Sequence, residues 1–167
     1  MKKVSYLNSP IGVLAIVEEK SAITGLFFGK KKIPGCEPTA PASGAEAETP
    51  LIKKTKTQLE EYFAGKRRSF DLPLCLIGTE FQCSVWEALK NIPYGQTRAY
   101  SDIAADVGNP RACRAVGMAN NRNPISIIIP CHRVIGKDKS LTGYGGGLEA
   151  KRFLLELEEE TLKTARK

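Results

Sequence analysis

The only histidine in this chain directly follows a cysteine. The apolar run from Ile125 to Ile129 ends at Pro130, and Cys131 and His132 come next. A thiol is a nucleophile only in its thiolate form, and the pKa of a free thiol is about 8.5. A cysteine that reacts at neutral pH therefore needs a base or a positive charge close by. The adjacent pair predicts a nucleophilic cysteine with its own base.

The backbone around this pair sets how the two side chains can meet. The apolar residues 127–129 predict a buried strand that ends at Pro130, because proline has no N–H for a ladder. Neighbouring side chains point to opposite sides of a strand. Contact between Cys131 and His132 therefore requires irregular backbone or a water between them. The alternative is a buried structural cysteine beside a surface histidine.

Turn-forming and glycine-rich segments flank the pair and favour the functional interpretation. Asn123-Pro124 precede the apolar run, and Gly136 and the segment from Thr142 to Gly147 follow it. Glycine lets backbone amides approach a ligand closely. A phosphate-binding loop is the competing interpretation, but no G-K-[ST] motif follows the glycines.

Two short helices joined by a turn are predicted before the reactive segment. Thr97 is the expected cap of the first, and Asn109-Pro110 open the second, which runs to about Asn120. The first helix has an apolar stripe at helical spacing, made of Tyr100, Ile103, Ala104 and Val107. This pattern is typical of a helix-turn-helix, although many helical hairpins bind no DNA.

The second of these helices carries positive charge. Arg111 and Arg114 lie three residues apart and would share a face, and Arg122 follows the helix. Its small residues keep it slender, so that its backbone can approach a partner; they are Ala112, Ala115, Gly117 and Ala119. The basic face favours DNA as the partner.

The remaining segments are predicted to act as a scaffold. The first 29 residues alternate in three short blocks that predict a β-meander, and residues 30–49 predict a long exposed loop. A helix is expected from Thr49 as N-cap to Gly65, followed by a short strand at 70–72. Its expected apolar side consists of Leu51, Leu59, Tyr62 and Phe63.

Two further helices are expected around the reactive segment. Thr79 and Gln82 have capping-box spacing before a helix in which Trp86 is a core residue. The other runs from Leu148 to about Glu160 with the stripe Ala150, Phe153, Leu154 and Leu157. Glu158 lies beside that stripe near the helix end, where a carboxylate is unfavourable. An inward Glu158 held by His132 would explain this position.

Composition limits the possible classes of protein. The chain has 167 residues, of which 42% are hydrophobic, enough for one ordinary domain or two small ones. The net charge of +7 favours a polyanionic partner. The five cysteines are an odd number without a C-x-x-C pair, so a structural metal is not expected. No apolar run is long enough for a membrane span, and a soluble, cytoplasmic protein is expected.

These motifs together resemble the 6-O-alkylguanine-DNA alkyltransferases. The signature is Ile129-Pro130-Cys131-His132-Arg133-Val134, with Asn123-Pro124 before it and Gly143-Tyr144-x-Gly146-Gly147 after it. The resemblance runs from about Phe81 to Glu158 and also includes Val85-Trp86, Ile92-Pro93-x-Gly95-x-Thr97, Tyr100, Arg114-Ala115-Val116-Gly117, and Lys151 with Leu154-Leu155.

The resemblance implies an α+β fold with two domains. Residues 1–75 would form a small ribonuclease-H-like domain of β-sheet and helix, and residues 76–167 a mainly helical domain with a helix-turn-helix. It also implies a monomer without a cofactor that binds double-stranded DNA in the minor groove. Such a protein would be associated with the nucleoid, or nuclear in a eukaryote. It would flip an alkylated guanine out of the duplex and accept the alkyl group irreversibly, once per molecule.

The resemblance assigns roles to the residues of the reactive site. Cys131 would accept the alkyl group, and His132 would take its proton through a bound water. Glu158 would orient the imidazole, as the third group of a nucleophile–base pair commonly does. Asn123 would fix the turn that carries the nucleophile. Tyr100 would donate a hydrogen bond to a ring nitrogen of the leaving guanine, although the helical stripe also allows a core role.

Further residues are assigned to the base and to the DNA. The carbonyl of Val134, together with Tyr144 and Gly145, would surround the base, and Lys151 would lie near the sulfur. Arg114 would enter the stack where the base has left, alongside DNA contacts from Tyr100, Ser101 and Asn109. Without the resemblance, Arg114 would be read as a phosphate contact.

Two departures and two rival functions accompany this assignment. The single histidine leaves no set of ligands for the zinc that some relatives bind, and Ser126 stands where many members have proline, so the tolerated alkyl size stays open. One rival is a Cys-His hydrolase, which requires an oxyanion hole and turnover. The other is a DNA-damage binder that uses the helix-turn-helix without chemistry.

Overall fold

The structure is a computed structural model that describes residues 2–29, 48–141, 143–144 and 146–165. They fall into two compact units, Met1–Leu76 and Ile77–Lys167. Most of the predicted loop at 30–49 and the predicted contact Gly145 lie outside the described residues.

The first unit is built on an antiparallel sheet of three strands. They are β1 (Lys3–Ser9), β2 (Gly12–Glu19) and β3 (Ala22–Phe28), in the order β1-β2-β3. The central strand β2 is buried over five consecutive residues, because it has a neighbour on each side and α1 (Pro50–Phe63) against it. Thr49 caps α1 by accepting the amide of Ile52 at 3.0 Å. The predicted meander and the predicted N-cap are confirmed.

Two details of this unit differ from the prediction. Ile52, Leu59 and Tyr62 form the buried apolar side of α1, whereas Leu51 and Phe63 are only half-buried. Residues 70–72 do not form a strand, because the backbone N–H and C=O of Asp71 are hydrogen-bonded to the side chain of Gln58. Gln58 donates to the Asp71 carbonyl at 3.1 Å and accepts its amide at 2.9 Å.

In the part of the second unit that the structure describes, there are four helices and one short parallel strand pair. The elements are α2 (Glu80–Lys90), β4 (Arg98–Ala99), α3 (Tyr100–Asp106), α4 (Cys113–Asn121), a 3-10 turn (Cys131–Arg133), β5 (Val134–Ile135) and α5 (Leu148–Ala165). β4 pairs with β5. The capping box of Thr79 and Gln82 is present. Trp86 is buried and donates from Nε1 to the carbonyl of Ala119 at 2.8 Å, so it joins α2 to α4 as a core residue.

The helix pair α3–α4 starts later than the sequence predicts. Thr97 does not cap α3, because residues 98 and 99 are drawn into the pairing with β5. The carboxylate of Asp102 instead accepts the amide of Ala99 at 2.9 Å. The second helix begins at Cys113, with residues 109–112 in a turn. Arg111 therefore precedes the helix, and its predicted shared helical face with Arg114 is wrong.

The architecture is α+β, as predicted. The described residues of the first unit form the three-stranded sheet and one helix, and those of the second are mainly helical. Among the described residues, no helix is both long and apolar enough to cross a membrane.

Candidate active site

A buried turn, and not a strand, leads into Cys131. Ile127 has a positive φ of 72°, and the amides of Ile128 and Ile129 bond back to the carbonyls of Ser126 and Ile125 at 2.8 and 3.0 Å. The predicted strand is therefore wrong, although the segment is buried as expected. A β-branched residue is strained at positive φ, so surrounding contacts must hold this turn.

The side chain of Asn123 supplies those contacts. Its Nδ2 donates to the carbonyl of Ile129 at 2.8 Å, and its Oδ1 accepts the amide of Ile125 at 3.0 Å. Asn123 thus connects the two ends of the turn that carries the cysteine. Asn120, on α4, adds a bond of 3.3 Å from its Nδ2 to the carbonyl of Cys131.

Cys131 and His132 occupy one turn of 3-10 helix. Pro130 stands at its N-terminus and Val134 begins β5 directly after it. This is the irregular backbone that the adjacent pair was expected to need. Cys131 is 2% exposed and His132 is fully buried, so the alternative of a surface histidine is wrong.

Glu158 receives four hydrogen bonds from three residues. His132 Nε2 lies 2.6 Å from Oε2, Arg133 donates from Nε to Oε1 at 2.8 Å and from Nη2 to Oε2 at 3.0 Å, and the amide of Gly95 donates to Oε1 at 3.0 Å. The carboxylate is fully buried. The expectation that Glu158 points inward and meets His132 is confirmed.

Glu158 lies within α5 and not at its end, because the helix is longer than the sequence predicts. The helix continues to Ala165, so Glu158 lies within it and not at its C-terminal end, where the dipole would oppose a carboxylate. The buried residues of α5 are Ala150, Lys151, Leu154 and Glu158, a stripe at spacings of one, three and four residues that includes two charged side chains. Phe153 and Leu157 are only half-buried.

The environment keeps His132 neutral and Glu158 charged. Burial lowers the pKa of His132, and the charges of Arg133 and Lys151 lower it further, against the raising effect of Glu158. Burial opposes ionisation of Glu158, but the hydrogen bonds and charges of His132 and Arg133 bring its pKa well below the ordinary range. A neutral imidazole that donates from Nε2 keeps Nδ1 as an acceptor. Nδ1 is buried and has no bonding partner among the described residues.

The resting cysteine is a thiol rather than the thiolate that an activated nucleophile would suggest. Burial raises the pKa of Cys131, and hydrogen bonds from Asn123 and Ser126 and the charge of Lys151 only partly offset this. Ionisation of Cys131 must therefore accompany proton transfer to a base. Burial lowers the pKa of Lys151 to about 8, although Cys131 acts in the opposite direction.

Three of the residues predicted around the base lie within this buried region. Lys151 donates from Nζ to the carbonyl of Val134 at 2.6 Å, and both residues are fully buried. The hydroxyl of Tyr144 is buried, and burial followed by the charges of Cys131 and Glu158 raises its pKa. The structure thus brings Val134, Tyr144 and Lys151 close to the cysteine turn.

The residues predicted to contact DNA lie on the helix pair. Tyr100 begins α3, and its ring centroid is 6.0 Å from Lys151 Nζ, which brings the tyrosine close to the reactive site. Ser101 is half-buried, whereas Asn109 and Arg114 are exposed. Arg114 stands in the first turn of α4.

The contacts of three residues in the candidate site were not assigned from the sequence. Arg133 and Gly95 were recognised only as parts of motifs, and Asn120 was not singled out. The signals in the sequence are an arginine directly after the Cys-His pair and the glycine of the Pro93-Tyr94-Gly95 segment, which has a φ of 77° in the structure. Neither signal shows that both residues meet at Glu158, because the distance along the chain is too great.

Comparison with known proteins agrees with this geometry. The family model for the ribonuclease-like domain of 6-O-methylguanine DNA methyltransferase matches residues 2–76, and the model for its DNA binding domain matches residues 80–160. A methylated-DNA--protein-cysteine methyltransferase of Methanosarcina barkeri is 52% identical, over 94% of this chain and 97% of that protein.

This chain belongs to the 6-O-methylguanine DNA methyltransferase family. It is similar in structure to the O6-methylguanine methyltransferase of Mycobacterium tuberculosis, with a TM-score of 0.83 and 45% identity over 96% of this chain and 94% of that one. The Mycobacterium tuberculosis OGT has been solved in complex with DNA, and it matches with a TM-score of 0.81 and 44% identity over 96% of this chain and 93% of that one. The resemblance to this methyltransferase family and the α+β fold are confirmed.

Proposed function

We propose that this protein repairs DNA by transferring an alkyl group from the 6-oxygen of guanine to Cys131. The observation that carries the proposal is the bond of 2.6 Å between His132 Nε2 and the buried Glu158, directly after the cysteine. This bond leaves Nδ1 as a base in the same buried turn. A nucleophile, a base and an orienting carboxylate are the parts that such a transfer requires.

The proton and the bonds balance in one step. Sγ of Cys131 attacks the alkyl carbon, the bond from that carbon to the guanine oxygen breaks, and a thioether forms. The thiol proton passes to Nδ1 of His132 through a bound water. Tyr100 would stabilise the leaving guanine anion by donating a hydrogen bond to a ring nitrogen. The imidazolium formed at His132 then gives up its proton through water, and one proton is returned to the guanine ring, so that thiol and alkylated guanine become thioether and guanine.

Formation of the thioether inactivates the protein, so each molecule reacts once. A thioether carries no good leaving group, and the residues of the site that the structure describes include no group that would remove the alkyl chain. The protein is therefore an enzyme by the type of reaction and a stoichiometric reagent by its kinetics.

The helix pair α3–α4 is proposed to act as a helix-turn-helix that reads the minor groove. A target atom inside a duplex is out of reach of a protein nucleophile, so the alkylated guanine must be flipped out. Arg114 is exposed at the start of α4, where its planar cation suits the space left in the stack. Ser101 and Asn109 would contact the DNA backbone. The small residues Ala115 and Gly117 allow the helix to approach a narrow groove.

The proposal also covers the oligomeric state, the location in the cell and the role of Gly145. A monomer acting where the chromosome lies, in the cytoplasm or in a nucleus, is sufficient, because every group used in the reaction comes from one chain. Gly145 is proposed to border the base next to Tyr144.

The experiment combines intact-mass analysis with two cysteine variants. The protein is incubated with duplex DNA that contains O6-methylguanine, and one methyl group is expected on the peptide with Cys131. Cys131→Ser should lose the transfer and keep DNA binding, and Cys75→Ser, which changes an exposed free cysteine, should transfer as the wild type does.

Other outcomes would identify the rival functions. Unmodified protein together with released product would support a Cys-His hydrolase. Damage-specific binding by both the wild type and Cys131→Ser, without any transfer, would support a regulator or damage binder.

A further inference from the structure

Arg133 is a buried cation that the proposed transfer does not use. It is 7% exposed, and its guanidinium faces Glu158, the carbonyl of Ile92 at 2.8 Å from Nη1, and the ring of Tyr94 at 5.5 Å from the centroid. A buried charge is costly unless it is paired and hydrogen-bonded. Arg133 meets that condition only because Glu158 is ionised.

Gly95 is fixed at the same carboxylate by two constraints. Its φ is 77°, and an added Cβ would stand 2.1 Å from Cδ1 of Leu162 on α5. A side chain here would be strained by the positive φ and would have to displace Leu162, so the position favours glycine. The close approach to α5 brings its amide to 3.0 Å from Oε1 of Glu158.

We propose that Arg133 and the Gly95 amide are positioning groups that hold Glu158 so that His132 stays in the tautomer with hydrogen on Nε2. This inference rests on the proposed function, because it explains how the base of that reaction is kept ready. Neither group touches the reacting atoms.

The acceptor capacity of the Glu158 carboxylate determines which tautomer of His132 fits beside it. An ionised carboxylate offers about four lone-pair sites. At Glu158, Arg133 and Gly95 fill three of them with fixed donors, and the fourth faces Nε2 of His132. An unprotonated Nε2 would set one lone pair against another at 2.6 Å. The arrangement therefore requires hydrogen on Nε2 and leaves Nδ1 as the acceptor.

The fork of Arg133 also balances charge. It spans both carboxylate oxygens, which fixes the plane of the carboxylate in a way that a single lysine contact cannot. The positive charge of Arg133 opposes the negative charge of Glu158, which would otherwise raise the pKa of His132. The carboxylate can therefore orient the imidazole without causing it to become protonated on both nitrogens. An imidazole that is already protonated cannot act as a base.

Charged and titratable groups face His132 from two elements. α5 contributes Glu158 and Lys151, and the turn itself contributes Cys131 and Arg133. α2 also packs against the turn, and its buried residues are the apolar Val85, Trp86 and Leu89. Lys151 acts on His132 in the same direction as Arg133, and its Nζ donates to the Val134 carbonyl. Arg133 both lowers the pKa of His132 and holds the two oxygens of Glu158 through its guanidinium.

The single histidine makes the test direct. Protein labelled with 15N-histidine gives signals from His132 alone, and the 15N shifts report both the tautomer and the titration of the ring. In the unalkylated wild type we expect hydrogen on Nε2, and a wild-type protein with hydrogen on Nδ1 would overturn the proposal whether or not any variant folds.

Three variants separate positioning from general structural support. In Arg133→Gln the pKa of His132 should rise, and the acid limb of the transfer rate should move to higher pH. Transfer at neutral pH should fall about 10- to 100-fold, comparable with losing the partner behind a metal-bound histidine. Arg133→Lys keeps the positive charge and loses the two-pronged contact of the guanidinium with Glu158. The pKa of His132 should therefore stay nearer to that of the wild type, while both tautomers of His132 become populated. Arg152→Gln removes an exposed charge from α5 and should change neither readout.

Failure of this inference can be told apart from failure of the proposed function. An unchanged titration and tautomer in folded Arg133→Gln would refute the positioning role even if the wild type transfers alkyl groups normally. A wild type with the expected tautomer but no transfer to Cys131 would instead refute the proposed function.

Discussion

His132 Nε2 and Glu158 Oε2 are 2.6 Å apart, and neither side chain is exposed to solvent. The two residues are separated by 26 positions along the chain. Their contact combines a neutral base with a charged acceptor in a region where burial disfavours charge. It is the arrangement from which the chemistry and the pH dependence both follow.

Stability is expected to fall in two stages as the pH is lowered. The pKa of His132 is depressed on folding, so the unfolded chain binds a proton first, and stability declines below the ordinary value of 6.5. The pKa of Glu158 is also depressed, so its contribution is present above the ordinary value of 4.5 and declines below it. Urea unfolding across this pH range measures both stages.

The variant Glu158→Gln tests whether Glu158 causes the second stage, the loss of stability below pH 4.5. It should remove the decline in stability below pH 4.5 that Glu158 causes. It should also lower the free energy of unfolding at neutral pH by about 3–5 kcal/mol, because Arg133 becomes a buried charge without a counter-charge. Glu159→Gln changes an exposed neighbour and serves as the control. A pH profile identical in both variants would contradict the assignment.

Asn123→Ala is expected to loosen the turn before the cysteine. The substitution leaves the Ile125 amide and the Ile129 carbonyl without their bonds, at a cost of about 2 kcal/mol or more. The positive φ of Ile127 would lose its support, and alkyl transfer should slow. Chemical denaturation and single-turnover rates measure the two effects. Asn91→Ala, at an exposed helix end, should change neither.

Arg114→Ala is expected to impair repair of duplex DNA more than reaction with a free alkylated base. Only the duplex requires flipping, and the lost charge should reduce the salt dependence of DNA binding by about one unit of the log–log slope. Competition between the two substrates, with mass analysis of Cys131, measures the ratio. An equal loss on both substrates would exclude a role in flipping.

Lys151→Met is expected to make the cysteine less reactive. Lys151 is the positive charge that lowers the pKa of Cys131, and methionine preserves much of the side-chain volume without it. Reaction of Cys131 with a small alkylating reagent at neutral pH should slow about tenfold, because an opposite charge no longer favours the thiolate. The rate followed by intact mass provides the measurement. Lys90→Met, at the exposed end of α2, is the matched control, and similar rates in both variants would contradict this role for Lys151.

Local signals in the sequence predicted most elements correctly. The capping residues Thr49 and Thr79, the alternation of the first 29 residues and the stripe around Trp86 depend on neighbours within a few positions. The strand predicted at 127–129 was wrong because the same apolar run suits any buried segment. The side chain of Asn123 and the turn decide its backbone, and hydrophobicity alone does not report them.

By itself, the sequence determined which atoms are available for chemistry: one thiol beside the sole imidazole, with a carboxylate on a later helix. Only the tertiary structure decided that this carboxylate is shared by His132, Arg133 and Gly95, and that the thiol is buried and protonated at rest. The physical reason is that side-chain type follows from the residue alone. Ionisation and tautomer depend on desolvation and on donors that folding brings together from distant parts of the chain.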